Sequence, residues 1–322
     1  MTTLLPTQPV GHTTLNVTQV GFGTAPLGMP PGWGNGEPIA ESQALQALQY
    51  AYDNGIRFFD SAPSYGKGLA ETRTGKFFRQ IPRDQIVIST KIGVDISGEK
   101  VRRDYTRDGV LRSLEGSLKR LQVDYVDILH VHDPDDYAEQ VLNETFPVLA
   151  ELRAQGVVKA IGAGMNQWQV PMKFAQHADF DCFVIAGRYS LLEQGALSFF
   201  DFCQQKGIAI FAAGIYNSGL LAKGTASTKA TYNYAPAPAE IINRVKAIEA
   251  ICQEFDIPLH TAATQFPLAH PAVKSILVGF QADSEIHACL AALRQTIPSG
   301  LWNRLGEAGL LDLASPILQN QS

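Results

Sequence analysis

Several things are scarce or missing in this sequence, and each absence removes a class of protein. There are only four cysteines, Cys182, Cys203, Cys252 and Cys289, at long irregular spacings and without a Cys-x-x-Cys pair. That argues against a disulfide framework and a thiolate metal site, and it suits buried free thiols in a reducing compartment. Positive charge is not in excess: 26 Lys and Arg against 31 Asp and Glu leave a net charge of −5, so the chain offers no footprint for nucleic acid or an anionic membrane. No apolar run is long enough to span a bilayer. The opening residues, MTTLLPTQPVGHTTLNV, have no basic stretch leading into an apolar core, so no signal peptide is expected. Internal repeats and linker-like segments are missing as well. The expectation is one cytoplasmic domain spanning 1–322, with no nucleic-acid or membrane partner and no bound metal.

What the sequence does contain is a recurring β-type run. The segments 17–23, 56–62, 85–91, 125–132, 158–164, 182–188, 208–214 and 275–280 are short stretches rich in Val, Ile, Phe and Ala without clean alternation. Strands buried on both faces of a parallel sheet read this way. Helical periodicity fills the intervals at 42–55, 108–123, 142–156, 196–207, 239–255 and 284–294, with Asp108 as a candidate N-cap and Gly55 as a C-cap signal. Eight strands alternating with helices predict an α/β chain closed into a (β/α)8 TIM barrel. An open doubly wound sheet is the rival. It is disfavoured because no Gly-x-Gly-x-x-Gly turn joins the first run to a helix. Irregular stretches at 28–38, 93–105 and 223–240 would rise as loops above the C-terminal face, where barrel active sites lie.

Polar residues collect at the ends of these runs. Asp60, Lys91 and His132 close the second, third and fourth, and Tyr65 follows Asp60 by five residues. In a barrel they converge. An ammonium beside a phenol lowers its pKa from about 10, so Lys91, paired with Asp60, would let Tyr65 exchange a proton while His132 orients a substrate oxygen. Singly, each has a plain alternative: Asp60 as a cap, Tyr65 as a surface aromatic, His132 as a satisfied core imidazole. Two other readings remain open. His130 and His132 lie on one face of a strand and could hold Zn²⁺ for hydrolysis. The barrel could also bind a dinucleotide without turning over and act as a regulator.

The run NGIRFFDSAPSYGKGLAETRTGKF, followed by VISTKIG, DYVDILHVHDPD and LRAQGVVKAIGAGMN, resembles the aldo-keto reductase family. The likeness falls in order along most of the chain and is greatest to its aldose 1-dehydrogenase group, with L-fucose and D-threo-aldose dehydrogenases, and to pyridoxal 4-dehydrogenase-like proteins. It implies a barrel closed at its base by an N-terminal β-hairpin near 12–17. It implies a catalytic tetrad of Asp60, Tyr65, Lys91 and His132, and NAD(P)-linked oxidation of an anomeric hydroxyl to a lactone. Aldehyde or ketone reduction and pyridoxal oxidation would use the same site.

The resemblance also implies cofactor contacts. Tyr189 would stack on the nicotinamide and Asn166 would hold its carboxamide. Asn217, Ser218, Gly219 and Leu220 would cover the pyrophosphate. Gly23, Thr24, Gly279, Gln281, Asp283 and Glu285 complete the expected cofactor set. The sequence departs from the family at Ser61 in the Asp-Ser-Ala run, at Ala186 where many relatives have Gln, and at 279–287, which lacks the Lys or Arg that grips a 2′-phosphate. With Asp283 and Glu285 in that stretch, NAD is expected ahead of NADP. The substrate, a small sugar or aldehyde, is expected against Trp33, Tyr65, His132 and Trp168, with Tyr105 and Tyr232 as further wall candidates. None of this sets an oligomeric state.

Overall fold

A computed structural model describes residues 5–29, 38–225, 230–233 and 235–317. Eight parallel strands close into a barrel. They are β1 (Val20–Gly23), β2 (Phe58–Asp60), β3 (Val87–Ile92), β4 (Ile128–His132), β5 (Ala160–Met165), β6 (Cys182–Ala186), β7 (Ala209–Ala213) and β8 (Val273–Gly279). β8 pairs with β1 and closes the ring. The mixed apolar runs now have their reason. Outward residues such as Phe22, Phe59, Leu129, Ile161, Phe183 and Ile276 pack under the helices, while inward Phe58, Ile128, Ala160, Cys182, Phe211 and Leu277 fill the axis. Both faces are dry, so neither carries a polar stripe. Phe58 meets Phe211 edge-on across the axis at 4.9 Å. Each such ring contributes about 1.5–3 kcal/mol by leaving water.

The expected hairpin is present and begins earlier. Thr7–Pro9 pairs antiparallel with Asn16–Thr18. The turn occupies the residues between them: Gly11 takes φ +54°, and the Val10 N–H donates to the Leu15 carbonyl at 2.9 Å. Val10, Leu15 and Val17 join the axial cluster and plug the barrel floor. The run 17–23 therefore serves two elements, the second hairpin strand and β1. In the helix Arg107–Leu121 the N-cap is Thr106, whose Oγ1 accepts from the Gly109 N–H at 3.1 Å; Asp108 lies within the first turn. Two of the expected loops carry small hairpins, Val94–Asp95 with Arg102–Arg103 and Thr231–Tyr232 with Ala235–Pro236.

Candidate active site

The register places Asp60 of β2 and Lys91 of β3 on the inner face of the mouth, where the chain has run out of apolar filler. Lys91 Nζ donates to Asp60 Oδ2 at 2.7 Å, to the Ser61 carbonyl at 2.9 Å and to Tyr65 Oη at 3.1 Å. Its three protons are thereby placed. Ser89 Oγ donates to the other Asp60 oxygen at 2.7 Å. The side chains of Lys91 and Asp60 are 2% and 5% exposed, so the pair is dry. Lys91 reaches this position across Gly164 of β5, where a Cβ would stand 3.2 Å from Lys91 Cε. Tyr65 is held by a tight turn: a Cβ on Gly66, at φ +63°, would overlap the Gly28 carbonyl at 1.9 Å. Glu71, fully buried on the following helix, accepts from Thr90 and Arg120 and fixes that helix to β3.

His132 completes the group, its ring edge-on to Tyr65 at 5.9 Å. Its Nδ1 lies 3.4 Å from Ser64 Oγ and its Nε2 lies 3.7 Å from Asp133 Oδ2. Burial, reinforced by Lys91, Arg103 and His130, holds the imidazole well below its ordinary pKa, so it is neutral. Lys91 stays charged: burial opposes the ammonium, but Asp60 and Tyr65 together raise its pKa above the usual lysine value. The phenol corrects the expectation. Burial raises the Tyr65 pKa above 10.0, with Asp60 and Asp133 adding to it, and the ammonium offsets only part of that rise. Before anything binds, Tyr65 is a protonated acid.

A cleft of about 600 Å³ opens at the C-terminal end of β8, lined by none of the four tetrad residues, a size suited to a bound small molecule. Gly219, Gly279, Gln281 and Glu285 line it, with Pro26, Met29, Tyr216, Lys223 and His260 in addition. Its lining suits a dinucleotide. Gly219, at φ +88°, presents bare backbone, with no heavy atom within 4 Å of where a Cβ would stand, and a Cβ on Gly279 would strike Pro26 at 2.6 Å. Asn166 follows β5, half-buried, and its amide makes no hydrogen bond among the described residues.

Other expected contacts are placed differently. Tyr189 is 1% exposed, stacked on Phe266 with Phe200 and His270 against it, so both ring faces are covered and none is left for a nicotinamide. Asn217 is buried and bonds Ser190, Gly187 and Glu193, bracing loops instead of facing the cleft. Leu220 is buried beside it. Asp283 accepts from Gln46 of the helix Glu41–Asp53, outside the main cleft, and Glu285 caps the Gln281 N–H at 2.7 Å. Thr24 is buried and donates to Ser61, while Gly23 sits beside β8 at the mouth. Tyr105 is no wall: it is 1% exposed, and its hydroxyl donates to the His132 and Asp133 carbonyls. Trp168 is half-buried near Gly195, and Trp33 lies outside the described residues.

Sequence reasoning passed over Ser89, Arg103, Asp133 and Lys223. Lys223 lies 56 positions before Gly279 and joins the cleft only through folding. His130 is fully buried beneath His132 with neither ring nitrogen hydrogen-bonded, and no three His, Cys, Asp or Glu among the described residues cluster to share a metal.

The aldo/keto reductase family profile matches residues 19–309. The chain belongs to the aldo/keto reductase family. As an aldo/keto reductase it is an NAD(P)-dependent oxidoreductase, and the hydrolase and non-catalytic readings fall away. It is similar to pyridoxal 4-dehydrogenase of Microbacterium luteolum, at 38% identity over 94% of this chain and 97% of that protein. It is 36% identical to D-threo-aldose 1-dehydrogenase of Pseudomonas sp., over 92% and 95% of the two chains. L-galactose dehydrogenase of Arabidopsis thaliana is 30% identical over 91% and 89%. Among solved structures, a Bacillus halodurans aldo-keto reductase in its holo form superposes with a TM-score of 0.80 at 23% identity, over 98% and 99%, which speaks to the fold. Among the described residues, no helix of this aldo/keto reductase is long and apolar enough to cross a membrane.

Proposed function

We propose that this enzyme oxidises the anomeric hydroxyl of an aldose to a lactone, with NAD as the preferred hydride acceptor and Tyr65 as the proton-transfer group. The observation that carries the reading is the Lys91 Nζ–Tyr65 Oη contact of 3.1 Å, anchored by Asp60. A phenol next to a fixed, buried ammonium can release and recover a proton at one defined atom. Likeness to the aldose and galactose dehydrogenases supports the substrate class. Likeness to pyridoxal 4-dehydrogenase favours a second substrate, pyridoxal. Both compounds can carry their aldehyde carbon as a cyclic hemiacetal, so one site chemistry covers both.

When bound, the dinucleotide supplies the hydride acceptor. Gly219, Gly279 and Gln281 would hold it along the cleft, with Asn166 toward the tetrad. The chain's own residues then do the following. His132, neutral, donates a hydrogen bond to the substrate oxygen. Tyr65, having first released its own proton to solvent, takes the hydroxyl proton as a phenolate whose charge Lys91 stabilises. NAD is favoured because 279–287 supplies no Lys or Arg and Glu285 faces the cleft. Lys223, on another loop, also lines the cleft and is the cation that would favour NADP if it met a 2′-phosphate.

The test is nicotinamide-linked oxidation across aldoses and pyridoxal with NAD and NADP, with lactone identified as product. Tyr65→Phe should bind cofactor normally and lose about 10²- to 10⁴-fold in kcat. Retained turnover contradicts the proton-transfer role, and a higher kcat/KM with NADP contradicts the cofactor preference.

A further inference from the structure

Asp133 directly follows His132 and is not explained by the tetrad. Its backbone is left-handed, at φ +43°, a region a side chain enters at some cost. It is pinned there from both sides: its N–H donates to the Gly164 carbonyl at 3.0 Å, and its carbonyl accepts from Tyr105 at 2.9 Å. This geometry turns the carboxylate toward the mouth, 37% exposed. Among the described residues the carboxylate makes no hydrogen bond. Arg103 Nη2 stands 3.9 Å away and His132 Nε2 3.7 Å away, both beyond bonding distance. Arg103 is itself held by the His132 carbonyl at 3.1 Å. A carboxylate held on a constrained backbone, with no hydrogen bond among the described residues, is placed for something that arrives.

The arrangement also favours one histidine tautomer. A carboxylate only accepts, and with Asp133 Oδ2 3.7 Å from Nε2 its charge favours the proton there, leaving Nδ1 to accept from Ser64 Oγ at 3.4 Å. Nε2–H and Asp133 Oδ2 then form a donor and an acceptor 3.7 Å apart at the mouth. Two adjacent hydroxyl oxygens, separated by about one hydrogen-bond length, can fill both: the reacting oxygen accepts from Nε2–H, and its neighbour donates to Oδ2.

We propose that Asp133 is a specificity-determining residue that binds the hydroxyl on the carbon next to the reacting one, with Arg103 as its counter-charge. The enzyme thereby selects α-hydroxy carbonyls and their hemiacetals over simple alcohols and aldehydes. This deepens the aldose reading and rests on it only for the oxidative substrate.

The test is a cycle between Asp133 and the substrate hydroxyl. Asp133→Asn keeps the shape and tolerates a left-handed backbone; Asp133→Ala is the second variant. For each, kcat/KM is measured on an aldose and its 2-deoxy counterpart in oxidation, and on glyceraldehyde and propanal in reduction. The expected result is a wild-type preference for the hydroxylated member that falls about 10- to 100-fold in both variants. A wild type with no preference in either pair overturns the proposal, as do variants that slow both members of each pair equally. If no aldose yields lactone while the glyceraldehyde preference collapses, the aldose reading fails and Asp133 keeps its role. If aldoses are oxidised but the ratios do not move, the failure is that of Asp133 alone.

Discussion

Replacing Lys91 by Met separates what the buried pair does for the fold from what it does for the chemistry. The ammonium and the Asp60 carboxylate are 2.7 Å apart and nearly inaccessible to water. At an effective dielectric near 20, that separation corresponds to about 6 kcal/mol of gross attraction. Each ion has given up several kcal/mol of hydration to be there, so the pair as a whole contributes little net stability. Lys91→Met leaves Asp60 buried with, among the described residues, only Ser89 as a donor and leaves the Ser61 carbonyl without its ammonium. The expected loss is about 3–5 kcal/mol. Asp60→Asn/Lys91→Met removes both charges and should recover most of that loss, ending within about 2 kcal/mol of wild type. Urea unfolding followed by far-UV circular dichroism measures both, through the midpoint at constant slope. Neither variant should turn over substrate. A single variant within about 1 kcal/mol of wild type would refute the dry-pair argument, and so would a double variant no more stable than the single.

Two further outcomes follow from the same site. The Tyr65 phenol is raised above its ordinary value and keeps its proton, and His132 is lowered below its own and has already lost one. Hence kcat/KM for aldehyde reduction should be flat from about pH 6.5 to about pH 9, and a limb inside that window in a pH-rate profile contradicts the assignment. Tyr105→Phe removes the hydroxyl shared by the His132 and Asp133 carbonyls. It should cost about 1–3 kcal/mol in urea unfolding and lower kcat through a displaced His132; unchanged stability would show that the Arg103 contact suffices.

The barrel and the tetrad were readable because both rest on strand-end positions. A parallel barrel brings every C-terminal end to one mouth, so Asp60, Lys91 and His132 meet whatever their separation in sequence. The misplaced residues all lie past those ends, where backbone direction decides. Gly187, at φ +74°, turns the chain after β6 and sends Tyr189 into the Phe200–Phe266 cluster instead of over the mouth. Asn217, at φ +44°, points back toward Ser190 and Glu193 for the same reason. Composition does not report the sign of φ at an asparagine. Lys223 is not legible as a cleft residue in sequence because 279–287 forms only one part of a cleft to which a second loop also contributes. Arg103 and Asp133 reach each other only through the short hairpin that carries Arg103.

The raised phenol also bears on direction. Lys91 lowers the Tyr65 pKa and burial raises it, with burial the stronger of the two in the free enzyme. Burial has a second consequence: in dry surroundings any further charge near the phenol acts at low effective dielectric and counts for more than it would in water. Lys91 is balanced by Asp60 and Arg103 by Asp133, so the two charged pairs leave the mouth without a net charge that would repel an incoming cation. A positive charge arriving beside Tyr65 therefore adds to the effect of Lys91 and favours the phenolate, which takes a proton. A neutral arrival leaves the phenol as it is, ready to give one. On the proposed reading Tyr65 would act as base in oxidation and as acid in reduction, the choice being made by the charge of what binds next to it.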